Sequence, residues 1–179
     1  MKENKPEAVI IHHTAVKSSS PQLHAVDRYH KNQGFPKSSI LYYVGYHWFI
    51  EKDGTTTRTR KDNDEGAHTL GGWNTKSIGI CLAGDFNEER PTPQQIVSLN
   101  NLIDNYKNLG ITDVKLHREA QLNRTCPGNN FTRDYIENVN MEEDSTKCEA
   151  LKKEIKKQQD TINWLKDILA KLIRKYLNK

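Results

Sequence analysis

The chain has 179 residues, a hydrophobic fraction of 35% and a formal net charge of +4, enough for one compact core but thin in apolar material for its whole length. From Met141 to the end there are ten lysines and arginines against seven acids, so the tail holds most of the excess and the rest is nearly neutral. That distribution argues against a nucleic-acid binder, which would concentrate positive charge on its folded part. The charged stretch Met1 to Glu7 leads into Ala8-Val9-Ile10-Ile11, too short an apolar run for a signal peptide, and no stretch has the length of a membrane span. A protein synthesised in and kept to the cytoplasm, unless something else moves it, is the expectation. Cys81, Cys126 and Cys148 are an odd number without short paired spacing, which argues against a disulfide framework and leaves metal binding, catalysis or burial.

In chain order, Ala8 to Ile11 is a β-branched run ending in His12-His13-Thr14, and its continuous apolarity predicts a central strand covered on both faces. Pro21 to Asn32 reads as a helix capped by Ser20, with Leu23, Val26 and Tyr29 facing a core, His24 and His30 facing solvent, and Gly34 closing it. Leu41 to Glu51 predicts a strand that turns at Lys52-Asp53-Gly54 into Thr55 to Arg60, the pattern of a hairpin. A polar loop, Lys61 to Lys76, precedes Ser77 to Ala83. There Ile78, Ile80 and Leu82 alternate with Gly79, Cys81 and Ala83, and the small face could let a substrate approach closely. Thr92-Pro93-Gln94-Gln95 opens a helix with Ile96, Leu99, Leu102, Ile103 and Tyr106 at helical spacing, ended by Gly110. Val114 to Leu116 is a short strand running into His117. Alternating strands and helices predict an α/β domain, a central mixed β-sheet flanked by helices, over residues 1–140.

Residues 141–179 form a separate segment. Cys148, Leu151, Ile155, Gln158, Ile162, Leu165, Leu169, Leu172 and Tyr176 recur at alternating spacings of three and four, a heptad seam with one polar interruption. Trp164, Ile168, Ile173 and Leu177 widen the stripe, and Lys166, Lys171, Arg174 and Lys175 occupy the other side. A C-terminal amphipathic or coiled-coil helix follows. It could make a homo-oligomer through residues 148–179, contact an anionic membrane surface, or fold back onto the domain.

His12, His117 and Cys126 are the sharpest chemical constellation, because two imidazoles and a thiolate suit Zn²⁺. Three protein ligands leave a fourth position for water, whose pKa zinc lowers to about 7. Taken singly, each residue is as well read as a core histidine or a buried thiol. Their contexts, read together, are more informative: Val9-Ile10-Ile11-His12-His13-Thr14-Ala15; Val44-Gly45-Tyr46-His47-Trp48-Phe49-Ile50 with Asp53-Gly54; Ser77-Ile78-Gly79-Ile80-Cys81; and His117-Arg118-Glu119 leading to Thr125-Cys126-Pro127-Gly128.

In this order the segments resemble the zinc-dependent N-acetylmuramoyl-L-alanine amidases of type 2, which include amidase-type bacteriophage lysozymes and the peptidoglycan recognition proteins. The resemblance covers Ala8 to Phe131 and not the tail. It implies Zn²⁺ held by His12, His117 and Cys126, with Tyr46 beside the nucleophile as a catalytic residue. His13, on the opposite face of its strand from His12, is then a packing or supporting residue. His68, Trp73 and Asn74 match pocket-wall residues that contact the muramyl peptide, and His47 joins them as a substrate-binding candidate.

Two departures matter. The step from His117 to Cys126 is nine positions, one longer than in the phage relatives, so the loop through Gln121, Leu122 and Asn123 must bulge. Arg124 stands where phage enzymes carry a lysine; a guanidinium can stabilise an oxyanion but stays charged and is a poor proton shuttle. Cys81 occupies a position where some relatives have a glutamate base, so that role is not carried over. The resemblance implies a zinc amidase that cleaves the amide between N-acetylmuramic acid and L-alanine in peptidoglycan, a phage or prophage endolysin reaching the wall after the membrane is breached. A recycling amidase, a non-catalytic peptidoglycan binder on the same fold, and a closed structural zinc site with His47 or His68 as fourth ligand stay open.

Overall fold

A computed structural model gives the fold of residues 2–137 and, in the tail, residues 153, 154, 156–159, 161–166, 168, 169 and 171. The chain divides into two units, Met1–Asn138 and Val139–Lys179. The first contains β1 (Ala8–His13), α1 (Leu23–Asn32), β2 (Trp48–Ile50), β3 (Thr56–Arg58), β4 (Ser77–Leu82), α2 (Pro93–Asn108), β5 (Asp113–Leu116), α3 (His117–Ala120) and α4 (Asp134–Glu137). Its five strands make one sheet in the order β3-β2-β4-β1-β5. β1 runs parallel to β4 and β5, β2 parallel to β4, and only the β2–β3 hairpin is antiparallel. The sheet is therefore mixed, and β1 and β4 are buried along their whole length, as expected of the apolar runs at their hearts, residues 8–11 and 78–82.

The two faces have different covers. Val9, Ile11, Ile78, Ile80 and Leu82 pack with Leu99, Leu102, Ile103 and Tyr106 of α2 and with Phe86, Leu116 and Phe131. Leu99 is fully buried, and its replacement by alanine should cost about 2–5 kcal/mol. Thr92 caps α2: its hydroxyl accepts from Gln95 N–H at 3.1 Å while Gln95 Oε1 accepts from Thr92 N–H at 3.0 Å, a reciprocal capping box. On the other face Phe49, Cys81 and Ala83 pack with Leu23 and Val44, and Val26 and Tyr46 lie against them.

Several expectations are corrected. The first helix begins at Leu23, with Gln22 rather than Ser20 at the cap; the carboxylate of Glu51 takes over the capping. Tyr29 is 61% exposed, because the stripe facing the sheet is too narrow to include it. His30 is buried, stacks on Phe35 at 4.3 Å and accepts a hydrogen bond from Gly45 N–H at Nδ1. The expected strand from Leu41 shrinks to Trp48–Ile50, since the backbone N–H groups of Tyr43 and Val44 bond to Asp27 Oδ1 and that of Gly45 to His30 rather than to a neighbouring strand. The small face of β4 is filled from inside: a Cβ added at Gly79 would lie 2.7 Å from the His68 ring.

The described tail residues are helical, and Ile162, Trp164, Leu165 and Leu169 are exposed. The boundary at 140/141 and the seam and stripe positions Cys148, Leu151, Ile155, Leu172, Ile173, Arg174, Lys175, Tyr176 and Leu177 lie outside the described residues. Among the described residues no helix is long and apolar enough to cross a membrane.

Candidate metal centre

His12 is the fifth residue of β1 and pairs with Cys81 on β4. Alternation sends its side chain to the face away from Ile11 and α2. β5, on the other side of β1, ends at Leu116, and His117 opens α3 directly after it. Cys126 returns to the same place because Arg118 holds its loop: the Arg118 N–H donates to the Cys126 carbonyl at 2.8 Å, and the guanidinium donates to the carbonyls of Gly128 and Phe131. Gly128, at φ +104°, is pressed against Phe86, whose carbonyl carbon would lie 2.4 Å from any Cβ placed there. Only glycine lets the Cys-Pro-Gly turn approach so closely.

The ligand atoms of His12, His117 and Cys126 all lie within 4.8 Å of one another. His12 Nδ1 is 3.7 Å from Cys126 Sγ, and the two imidazole centroids are 4.4 Å apart. His117 Nδ1 is buried without a hydrogen-bond partner, an orphan lone pair of the kind a metal would satisfy. This N, N, S set fits Zn²⁺, and the same three residues were singled out from the sequence.

Electrostatics favour binding by neutral imidazoles. Burial, then the neighbouring His68, His117 and His13, hold the pKa of His12 well below its ordinary value. Burial also lowers that of His117, against a hydrogen bond from Gln121 that raises it and with Arg124 lowering it further. Burial pushes the Cys126 thiol up to about 12, while the His13 backbone and the Arg118 and Arg124 guanidiniums pull the other way. Without a metal this sulfur is protonated at neutral pH, and metal binding must displace that proton.

Tyr46 precedes β2 rather than lying on it, with its ring 5.1 Å from that of His12. Burial, then the Cys81 and Cys126 thiols, raise its pKa well above the ordinary value, so the phenol keeps its proton. A groove of about 450 Å³ opens beside it, lined among others by Thr14, Val16, Gln22, Val26 and Tyr29. Cys81 is fully buried. Arg124 is exposed, in a loop that turns outward at Leu122, 86% exposed, and passes through Asn123 at φ +59°.

The remaining candidates separate. His47 is fully buried; Nδ1 accepts from Gly79 N–H and Nε2 faces the Asp64 carbonyl at 3.0 Å. With both nitrogens engaged it is offered neither to substrate nor to a metal, and burial lowers its pKa to about 4. His68 points at His12, with Nδ1 3.1 Å from His12 Nε2. Asn74 faces inward: its Oδ1 accepts from the N–H groups of His68 and Thr69. Trp73 is half-buried, with Lys115 Nζ 5.8 Å above its ring. His13 Nδ1 accepts from Phe86 N–H at 3.0 Å. Sequence reasoning missed Thr69 and Arg118; their only signal is adjacency, one beside His68 and the other beside His117.

A family model described as N-acetylmuramoyl-L-alanine amidase matches residues 2–129. The chain belongs to this family. Among curated amidase-family relatives, it is 34% identical to the endolysin of Enterobacteria phage T3 over 103 residues, 54% of this chain and 64% of that protein. The match thus spans just under two thirds of the phage endolysin. Peptidoglycan-recognition protein SC2 of Drosophila melanogaster is 31% identical over 126 residues, 68% of each chain. Among solved structures, the N-acetylmuramoyl-L-alanine amidase LysC from Clostridium intestinale URNW superposes with a TM-score of 0.63 at 39% identity, covering 73% of this chain and 82% of that one. The five-stranded mixed sheet with its helices is the amidase-family fold, and His12, His117 and Cys126 form a site consistent with zinc in these amidases.

Proposed function

We propose that this protein hydrolyses the amide between the lactyl group of N-acetylmuramic acid and L-alanine in peptidoglycan. The observation that carries this reading is the convergence of the ligand atoms of His12, His117 and Cys126 within 4.8 Å, with the Tyr46 ring against His12 at the mouth of a groove. Zn²⁺ held by His12, His117 and Cys126 would supply Lewis-acid chemistry, polarising a carbonyl and acidifying water. The chain's own residues do the rest. Tyr46, protonated at working pH, donates a hydrogen bond to the oxygen on which negative charge develops. Arg124, close enough to lower the pKa of both His117 and Cys126, adds a fixed positive charge at the rim. The groove along α1 binds the muramyl peptide.

The endolysin reading, in which the protein leaves the cytoplasm and meets the wall once the membrane is breached, draws support from the phage relatives. We assign residues 1–140 to the catalytic domain. The tail self-associates through the seam that leaves Ile162, Leu165 and Leu169 exposed, gathering catalytic domains on the wall. Sedimentation of the full chain and of residues 1–139 tests that assignment: a full chain as monomeric as the truncated one contradicts it.

The decisive experiment measures new L-alanine amino termini released from purified peptidoglycan by the protein as isolated, after chelation, and after zinc add-back. Release that vanishes with the chelator and returns with zinc is expected. A folded, zinc-loaded protein that releases nothing from several peptidoglycan types would instead be a binder on the amidase fold.

A further inference from the structure

Behind His12, on the edge away from Cys126, three polar atoms meet. His12 Nε2 is 3.1 Å from His68 Nδ1 and 3.3 Å from Thr69 Oγ1, and these last two atoms are 2.9 Å apart. The opposite edge of the ring, Nδ1, faces Cys126 Sγ. A neutral imidazole carries one proton, so the edge that offers a lone pair to a metal depends on where that proton sits. We propose that Thr69, acting with His68 and held by Asn74, fixes His12 in the Nε2–H tautomer and so presents Nδ1 to the metal. The proposal deepens the metal reading above and rests on it.

Proton bookkeeping leads there. The Thr69 hydroxyl has one proton to give and lone pairs to receive. If it donates to His68 Nδ1, its oxygen is free to accept from His12 Nε2–H, and the proton of His68 sits on Nε2. That nitrogen is buried with no hydrogen-bond partner; the arrangement is selected at the other ring, whose Nδ1 edge faces Cys126 Sγ in the converging ligand set. In the opposite arrangement His68 Nδ1–H donates, His12 Nε2 becomes an acceptor, and the His12 proton moves to Nδ1, between the ring and Cys126. A metal could not then bind there without a tautomer change.

The surroundings hold Thr69 and His68 in place. Thr69 is 2% exposed, and Asn74 Oδ1 accepts from the backbone N–H groups of His68 at 2.8 Å and Thr69 at 2.9 Å, which pins both residues of the turn with one side chain. The His68 ring has room only because two glycines face it: a Cβ at Gly66 would lie 2.5 Å from His68 Cδ2, and one at Gly79 2.7 Å from the same atom. Metal-bound histidines commonly donate their second N–H to a carboxylate or a backbone carbonyl. Here a hydroxyl and a neutral imidazole take that place. Thr69 and Asn74 are positioning residues that touch neither metal nor substrate.

The test uses the full chain. Ring ¹⁵N shifts of His12 in the metal-free wild-type protein should report the Nε2–H tautomer. Zinc affinity by chelator competition should fall about tenfold or more in Thr69→Val, the usual range for such supporting partners, and recover to within about threefold in Thr69→Ser. The cobalt-substituted absorption spectrum should change in Thr69→Val and return in Thr69→Ser, a recovery that general loss of packing would not produce. His12 protonated at Nδ1 in the wild type, or Thr69→Val binding zinc as tightly as wild type, overturns the proposal. The wild-type shifts decide it even if Thr69→Val fails to fold. A wild-type protein that takes up no zinc would count against the metal reading itself, on which the metal-free ring shifts do not depend.

Discussion

The carboxylate of Glu51, just beyond β2, accepts hydrogen bonds from the backbone N–H groups of Gln22 at 2.9 and 3.0 Å and of Leu23 at 2.8 Å. A residue just past a strand end thereby caps the helix that walls the groove, and its negative charge sits at the positive end of that helix. Glu51→Gln, which keeps the shape and removes the charge, should lower the free energy of unfolding by about 1–2 kcal/mol. Urea denaturation measures it, and an unchanged midpoint would show that the charge contributes nothing.

Metal affinity should rise with pH, by about tenfold per unit between pH 7 and 8. The histidines are already neutral there, because burial holds His12 and His117 below their ordinary values; the proton displaced is that of the Cys126 thiol, pushed up to about 12. Chelator competition across this range gives the slope. A steeper dependence would mean that imidazolium forms are being displaced as well.

Tyr46→Phe should leave zinc affinity unchanged and reduce turnover by about a hundredfold, the usual loss when one donor to a developing oxyanion is removed. Arg124→Ala should cost about tenfold in turnover, with Arg124→Lys recovering most of it, since the proposed role is charge at the rim. Parallel loss of metal in Tyr46→Phe would recast the tyrosine as part of the binding site.

The metal-free protein should lose stability on mild acidification. Burial lowers the pKa of His47 in the folded protein to about 4, against 6.5 for an ordinary histidine, so the unfolded chain binds the extra proton between those values. The stabilisation is whole above pH 6.5 and is lost as pH falls toward 4; at pH 5 the loss from His47 is about 2 kcal/mol. Urea unfolding after chelation at pH 7, 6 and 5 should show it, above the range in which carboxylates titrate.

The parts of this molecule that follow from local pattern were legible in its sequence. β1 and β4 are built on apolar runs and are buried end to end, and the capping box at Thr92 and Gln95 announces α2. His12, His117 and Cys126 were legible because ordered motifs surround them. What escaped depends on partners distant in the chain. Glu51 displaces Ser20 as the cap only because β2 ends beside α1, and His30 is buried only because Gly45 and Phe35 close over it. His47 was grouped with the pocket wall by its neighbours in sequence, but its ring is spent on Gly79 and Asp64. Asn74 was grouped with the pocket wall in the same way, but its Oδ1 is spent on the backbone N–H groups of His68 and Thr69.

The register of β1 between β4 and β5 also sets when the site can exist. The first strand of the sheet acquires its β5 neighbour only after residue 113 has been made, and the sulfur that completes the triad comes at position 126. A ribosome must therefore release most of the folded unit before the three ligand side chains can meet. An ion bound by His12, His117 and Cys126 would fasten the beginning of the domain to its end, so that metal-loaded protein should resist proteases at sites far from the metal.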